Sequence, residues 1–337
     1  MIIFSYLGAD IPKYALLNAK HTKLRFPELN VGMIVSNKQN ASILQELGLN
    51  AFVYETKQND ELFSEMQAKR IDFRNGFWRF TLERLLSLEA CFQENIENVI
   101  HVESDVILLN GFDKHSSPKS KISWLAHKDE EDSAAILGIR NRTDFDKFKA
   151  DLRENFRKNP TFSEMQLLRI MRRNSPEDYE LMPSILSDGT ISPKLNTSSE
   201  KFVFDPATLG MWIFGYDPKN HFGFTRRSLI HGKRDSEAFA LKISDNLGKP
   251  ELYVNNETLV LSMHVHTKAE HVFIDPDSQI KALLDNEMSK NDFNPKILMS
   301  VYQEYAARGR RLAFFLEALG LLKYLIKIKD KINDFFR

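Results

Sequence analysis

The 337-residue sequence has little of several things that would settle its class quickly. It has one cysteine, Cys91, so no internal disulfide can form and no cysteine-based metal site can be built. It has no excess of either charge: 46 Lys+Arg offset 46 Asp+Glu, which removes a global electrostatic case for nucleic acid. No stretch reaches the roughly 18 uncharged apolar residues that a spanning helix needs. Met1-Ile2-Ile3-Phe4-Ser5-Tyr6 has no basic n-region and too short an apolar run for a secretory signal. A reducing, cytoplasmic setting is therefore expected. Internal repeats and low-complexity blocks are also missing.

What is present is a soluble globular composition, 42% hydrophobic and 27% charged, long enough for one large α/β domain or two smaller ones. The first half alternates. Apolar runs at 2–6, 31–36 and 51–54 read as strands, and 11–24 and 41–47 read as helices, the second stopped by Gly48. A long helix is expected over 77–94, with Leu82, Leu85, Leu86 and Ala90 on one face. Strands alternating with helices imply a mainly parallel sheet flanked by helices, and such sheets bind ligands beyond the carboxyl ends of their strands.

At such an end stands Asn98-Val99-Ile100-His101-Val102-Glu103-Ser104-Asp105. On a strand, Glu103 and Asp105 share a face with Ser104 turned away. Two carboxylates at one point repel unless a positive partner lies between them, and a divalent Mn²⁺ or Mg²⁺ suits oxygen ligands. The plainer alternative is a solvated Glu103 and an Asp105 that caps a turn.

Further along, 112–121 is a Lys- and Ser-rich loop, 133–139 a strand, 144–157 and 163–173 helices, the latter capped by Thr161 or Ser163. Residues 174–200 form a polar excursion. Apolar runs at 202–205 and 211–215 flank a turn, and 259–266 is the last strong strand, placing His264 and His266 on one face.

The order of these pieces resembles the metal-dependent nucleotide-sugar glycosyltransferases of the GT-A fold. Glu103-Ser104-Asp105 stands where that family has its DxD motif, with Glu for the first Asp. Ile3 to Gly8 followed by Ile11-Pro12-Lys13-Tyr14 resembles its first strand and helix, where the nucleotide base docks beside Tyr6. Gly76-Phe77-Trp78-Arg79-Phe80 through Arg84 resembles the helix whose basic residue reaches the phosphates. Phe204 to Gly210 with Phe214 to Pro218 resembles the segment shaping the sugar and acceptor side, and Met263-His264-Val265-His266-Thr267-Lys268 the late histidine strand.

The resemblance implies a Rossmann-like GT-A domain over 1–275, with a nucleotide-binding half at 1–110 and an acceptor half at 111–275. A helical appendage follows at 276–337. It implies a nucleotide-sugar donor, a divalent metal, and a hydroxyl acceptor on a surface glycan or a lipid-linked chain. Metal ligands are expected from Glu103, Asp105 and one of His264 and His266, with Arg84 and Lys268 on the diphosphate. Glu164 or Asp205 would take the acceptor proton. Trp78 and Trp212 are candidates for stacking on a sugar or for the core.

Two other classes compete. A sugar nucleotidyltransferase would carry a glycine-rich loop after the first strand, yet residues 8–20 hold only Gly8. A non-catalytic nucleotide- or glycan-binding module would tolerate loss of the acids and histidines. In the tail, Leu321, Leu325, Ile328, Ile332 and Phe335 form a helical stripe opposite Lys323, Lys327, Asp330 and Asp334. Through 308–337 this stripe can lie on an anionic membrane surface, at the inner face of the membrane, or pack on the domain or a second subunit.

Overall fold

A computed structural model describes residues 1–55, 77–115, 121–128, 131–186, 191, 201–214, 241–246, 249–255, 257–266, 268 and 270–280. The tail at 308–337, and Tyr216-Asp217-Pro218, lie outside the described residues.

The leading elements are β1 (Ile2–Tyr6), α1 (Lys13–Arg25), β2 (Val31–Val35), α2 (Lys38–Glu46), β3 (Asn50–Val53), α3 (Phe77–Leu86), α4 (Glu89–Gln93), β4 (Val99–Val102), β5 (Val106–Leu108) and α5 (Phe112–His115). Then come β6 (Ile122–Lys128), β7 (Glu131–Ile139), α6 (Arg142–Lys158), α7 (Glu164–Asn174), β8 (Tyr179–Met182), β9 (Phe202–Val203) and α8 (Thr208–Phe214). The last are β10 (Leu241–Asn246), β11 (Lys249–Val254), β12 (Thr258–Val260), β13 (Ser262–His264) and α9 (Glu270–Ile274).

Seven strands form the central sheet in the order β3-β2-β1-β4-β7-β6-β8. The pairs β3–β2, β2–β1, β1–β4 and β6–β8 are parallel; β4–β7 and β7–β6 are antiparallel. The fold is thus mixed α/β with a mainly parallel sheet flanked by helices, as expected. Period-two burial explains the layering. Ile2 and Phe4 point to the face packed with Ala15 and Ala19 of α1, while Ile3 points to the face packed with Leu82, Leu85, Phe145 and Leu167. A four-stranded sheet, β10-β11-β12-β9, and a two-stranded ribbon, β13-β5, share a third apolar cluster with α8 and α9.

Four expectations need correction. The helix over 77–94 is two helices, α3 and α4. The run after Val102 does not resume the same strand, because β5 leaves the central sheet to pair with β13. The run 259–266 is likewise two strands in two sheets, β12 and β13. Met211-Trp212-Ile213-Phe214 continues helix α8 rather than flanking a turn: the Asp205 carboxylate accepts from Leu209 N (2.8 Å) and Gly210 N (2.7 Å) at the start of that helix. Strands β6, β8, β10 and β11 and helix α9 were not anticipated: β8 lies inside the stretch 174–200 read as a polar excursion and pairs with β6 at the sheet edge, and α5 occupies the start of the stretch 112–121 read as a loop. Ser163 is the N-cap of α7, within a capping box closed by Gln166.

Candidate metal and donor site

Strands β1 and β4 are parallel neighbours, so Tyr6 and Glu103 emerge at the same edge of the sheet. Glu103 and Asp105 are not on a strand. They sit in a turn between β4 and β5, closed by Val106 N donating to Glu103 O at 2.9 Å. They converge because this turn is clamped from three sides. Glu103 N donates to Ala135 O of β7 (3.0 Å), and Val265 N donates to Asp105 O (2.8 Å) beyond β13. On the third side Asn18 of α1, a buried amide, donates to Ser104 O (3.1 Å) and Val106 O (2.7 Å). Ser104 points away from the acids, its hydroxyl 3.5 Å from Tyr14 of α1.

His264 closes the cluster. Its Nε2 lies 3.3 Å from Asp105 Oδ1 and 3.4 Å from Glu103 Oε2. The second oxygen of each acid is held by a cation: Asp105 Oδ2 by Lys268 Nζ at 3.1 Å, and Glu103 Oε1 by Arg84 Nη2 at 2.5 Å. Each carboxylate thus turns one oxygen to His264 and the other to a positive group. Burial lowers the affinity of the His264 ring for a proton, but Asp105 and Glu103 outweigh it and raise the imidazole to about 9. Burial likewise opposes ionisation of Asp105, yet Lys268 and His264 hold it well below the usual carboxylate range.

Glu103, Asp105 and His264 are the one group of three that could hold a metal ion among the described residues, their ligand atoms lying within 4.8 Å of one another. Two carboxylate oxygens and an imidazole nitrogen suit Mn²⁺ and Mg²⁺. The structure itself fits that use. His264 Nδ1 lies 2.5 Å from the Pro206 carbonyl, which can only accept, so Nδ1 donates there and Nε2 is the nitrogen left facing the acids. A ligand histidine is held in this way.

The other candidates fall into place around this centre. Arg84 lies between Glu103 and Glu164, with Glu164 Oε1 at 3.5 Å. Arg79 instead pairs with Glu83 on its own helix. Glu164 is buried at the start of α7, and its Oε2 has no hydrogen-bond partner among the described residues. Burial pushes its carboxyl upward despite Arg84. Tyr6 lies half-buried at the rim, where burial and Asp10 raise its hydroxyl and Lys268 opposes them. Lys268 has φ 53°, a left-handed backbone that costs a lysine about 1–2 kcal/mol and that tends to mark functional sites. His266 is not brought onto the two acids; its ring stacks on His264 at 4.1 Å, with Nε2 unpartnered among the described residues. The shared-strand argument for the pair fails, because β13 ends at His264.

Asp205 is drawn into the scaffold instead of the opening. Its carboxylate is fully buried and accepts from four backbone N–H groups, those of Ala207, Leu209, Gly210 and His264. Trp78 and Trp212 lie on α3 and α8. Sequence reasoning missed Asn18, Pro206 and His127. Asn18 was visible only as a polar residue inside an apolar helix face. His127 lies at an irregularity in the β6–β7 pairing; burial and Lys128 lower it to about 4, and His264 adds to that shift. Nothing in its own neighbourhood of the sequence signals the site.

No family model and no curated protein matches this chain. Solved structures similar to it are glycosyltransferases. The galactosyltransferase LgtC in complex with donor and acceptor sugar analogues is 12% identical, with a TM-score of 0.41 over 88% of this chain and 98% of that one. PaToxG glycosyltransferase is 13% identical, with a TM-score of 0.38 over 52% of this chain and 67% of that one. The apo form of glycosyltransferase GlyE from Streptococcus pneumoniae TIGR4 is 13% identical, with a TM-score of 0.36 over 54% and 44%. At such TM-scores, what this chain does has to be read from its own site.

Proposed function

We propose that the protein is a metal-dependent glycosyltransferase that moves a sugar from a nucleotide-sugar donor to a hydroxyl on a surface or lipid-linked glycan. The observation that carries this reading is the division of labour on the two acids. Glu103 and Asp105 each offer one oxygen to the point faced by His264 Nε2, and each has its other oxygen on a cation. That arrangement suits a divalent ion with an anionic ligand bound beside it. The order of motifs along the sequence supports the same class.

A divalent ion held by Glu103, Asp105 and His264 would supply Lewis-acid stabilisation of the departing diphosphate. Lys268 and Arg84 add positive charge on either side of that anion. Tyr6, at the carboxyl edge of β1, flanks the nucleotide. An acceptor hydroxyl attacks the anomeric carbon, and the new C–O bond forms as the bond to the diphosphate oxygen breaks. The electron pair leaves with the nucleoside diphosphate.

Glu164 is the better of the two acids for the hydroxyl proton, because its Oε2 has no partner whereas both Asp205 oxygens are committed to backbone N–H groups. Burial raises the Glu164 carboxyl, which brings a base nearer to its working pH.

The test is release of nucleoside diphosphate from a panel of nucleotide sugars, with and without Mn²⁺. One donor should turn over, only with metal, and Asp105→Ala should abolish it. Absence of turnover together with absence of nucleotide binding would sink the reading.

A further inference from the structure

Asp205 is an acid with no solvent access, and its four hydrogen bonds join two parts of the chain far apart in sequence. Oδ1 accepts from Ala207 N (3.2 Å) and Leu209 N (2.8 Å); Oδ2 accepts from Gly210 N (2.7 Å) and His264 N (3.2 Å). One carboxylate therefore ties the start of α8 to the last residue of β13. Asp205 N donates to Ser262 Oγ at 3.2 Å, fastening the same turn to the same strand.

The turn bears on His264 by two further routes. The carbonyl of the next residue, Pro206, accepts from His264 Nδ1 at 2.5 Å. Gly210 approaches His264 so closely that a Cβ there would fall 1.9 Å from His264 O and 2.6 Å from its carbonyl carbon. Glycine alone allows this contact. The backbone and ring of His264 are thus each fixed by the segment 205–210.

We infer that Asp205 is a positioning residue that holds His264 with Nε2 toward Glu103 and Asp105, so that it sets metal affinity without touching the metal. The inference rests on the metal reading of that triad. An acceptor-only side chain is required, since all its neighbours in these bonds are donors. Asparagine matches the size of aspartate but turns an NH₂ toward backbone N–H groups.

The experiment measures Mn²⁺ dissociation constants by electron paramagnetic resonance of the free ion. It also reads the ¹⁵N signals of His264 in histidine-labelled protein with Mg²⁺. Wild type should bind Mn²⁺, and its His264 should carry the proton on Nδ1. Asp205→Asn, folded by circular dichroism, should weaken Mn²⁺ by about 10–100-fold. Gly210→Ala, which displaces His264 and leaves every metal-facing side chain intact, should weaken it comparably. If Asp205→Asn fails to fold, Gly210→Ala and the wild-type spectrum decide.

A folded Asp205→Asn with wild-type affinity overturns the inference. So does an unchanged Gly210→Ala, or a metal-bound His264 protonated on Nε2. If wild type takes up no Mn²⁺, the metal reading falls first and this inference goes with it.

Discussion

Two buried ionic clusters in this protein invite comparison. In one, Asp132 of β7 is fully buried. Oδ2 accepts from Trp124 Nε1 (3.0 Å) and Arg172 Nε (2.7 Å), and Oδ1 from Arg172 Nη2 (3.2 Å). Arg169 approaches to 3.8 Å. Every oxygen is matched to a donor, and the group ties α7 to the sheet. In the other, Glu103, Asp105 and His264 crowd around one point, and the Glu164 Oε2 has no partner among the described residues. The chain carries the cost of charge burial in both. The first cluster is closed and structural. The second is left incomplete in a way that further ligands would satisfy. What separates scaffold from site here is the state of the carboxylate oxygens: both of Asp132 meet donors, whereas one of Glu164 meets none among the described residues.

Breaking the closed cluster gives the largest expected change in stability. Asp132→Ala removes the acceptor of the part-buried Arg172 and of the buried Trp124 Nε1 and should cost roughly 3 kcal/mol, read from denaturant unfolding. Mn²⁺ affinity should be unaltered in the fraction that remains folded. A loss of metal affinity as large as that of Asp105→Ala would erase the distinction between the two clusters.

Glu164→Gln attacks the open cluster. It should leave the melting temperature close to that of wild type, because one carboxylate oxygen has no bond to lose. It should also lower kcat by about 10²–10⁴-fold if Glu164 takes the acceptor proton. A full-rate variant removes that role.

Proton competition sharpens the contrast further. The His264 imidazole sits at about 9 because of Asp105 and Glu103, so below that pH a metal ion must displace a proton. Mn²⁺ affinity should rise by about tenfold per pH unit between roughly pH 6 and 9. A flat profile would show that His264 is no ligand.

The last contrast concerns stability against acid. Burial lowers His21 and His127 to about 4 and His101 to about 3, from an ordinary 6.5. Between those values the unfolded chain binds more protons than the folded one. Stability present above pH 6.5 should therefore be lost as pH falls toward 4 and then 3. His101→Asn, at a position bonded to Ser5 Oγ at 2.9 Å, should shallow that slope. Melting temperatures from pH 7.5 to 4.5 decide it.

The parts legible in the sequence were those governed by local rules. The alternation of β1, α1, β2, α2 and β3 follows from hydrophobic period, and the helix at 164 from Ser163 and Gln166. The acidic pair was visible as an interruption in an apolar strand, although the turn that presents it was not. Its geometry depends on Asn18, Ala135 and Val265, which lie 86, 32 and 160 residues from Ser104, Glu103 and Asp105. The histidine half was less legible. Asp205 reads locally as a turn opener or a base, and its real partner, His264, is 59 residues away. No periodicity reports a carboxylate that bonds across sheets, or a glycine kept small by a distant carbonyl.

The most direct measurement of the central claim is Mn²⁺ binding to wild type and to Asp105→Ala at pH 8, by titration calorimetry. Wild type should bind one ion and Asp105→Ala none, with both proteins melting cooperatively. Equal binding by the two proteins, or none by wild type, would contradict the assignment of Glu103, Asp105 and His264 as a metal centre.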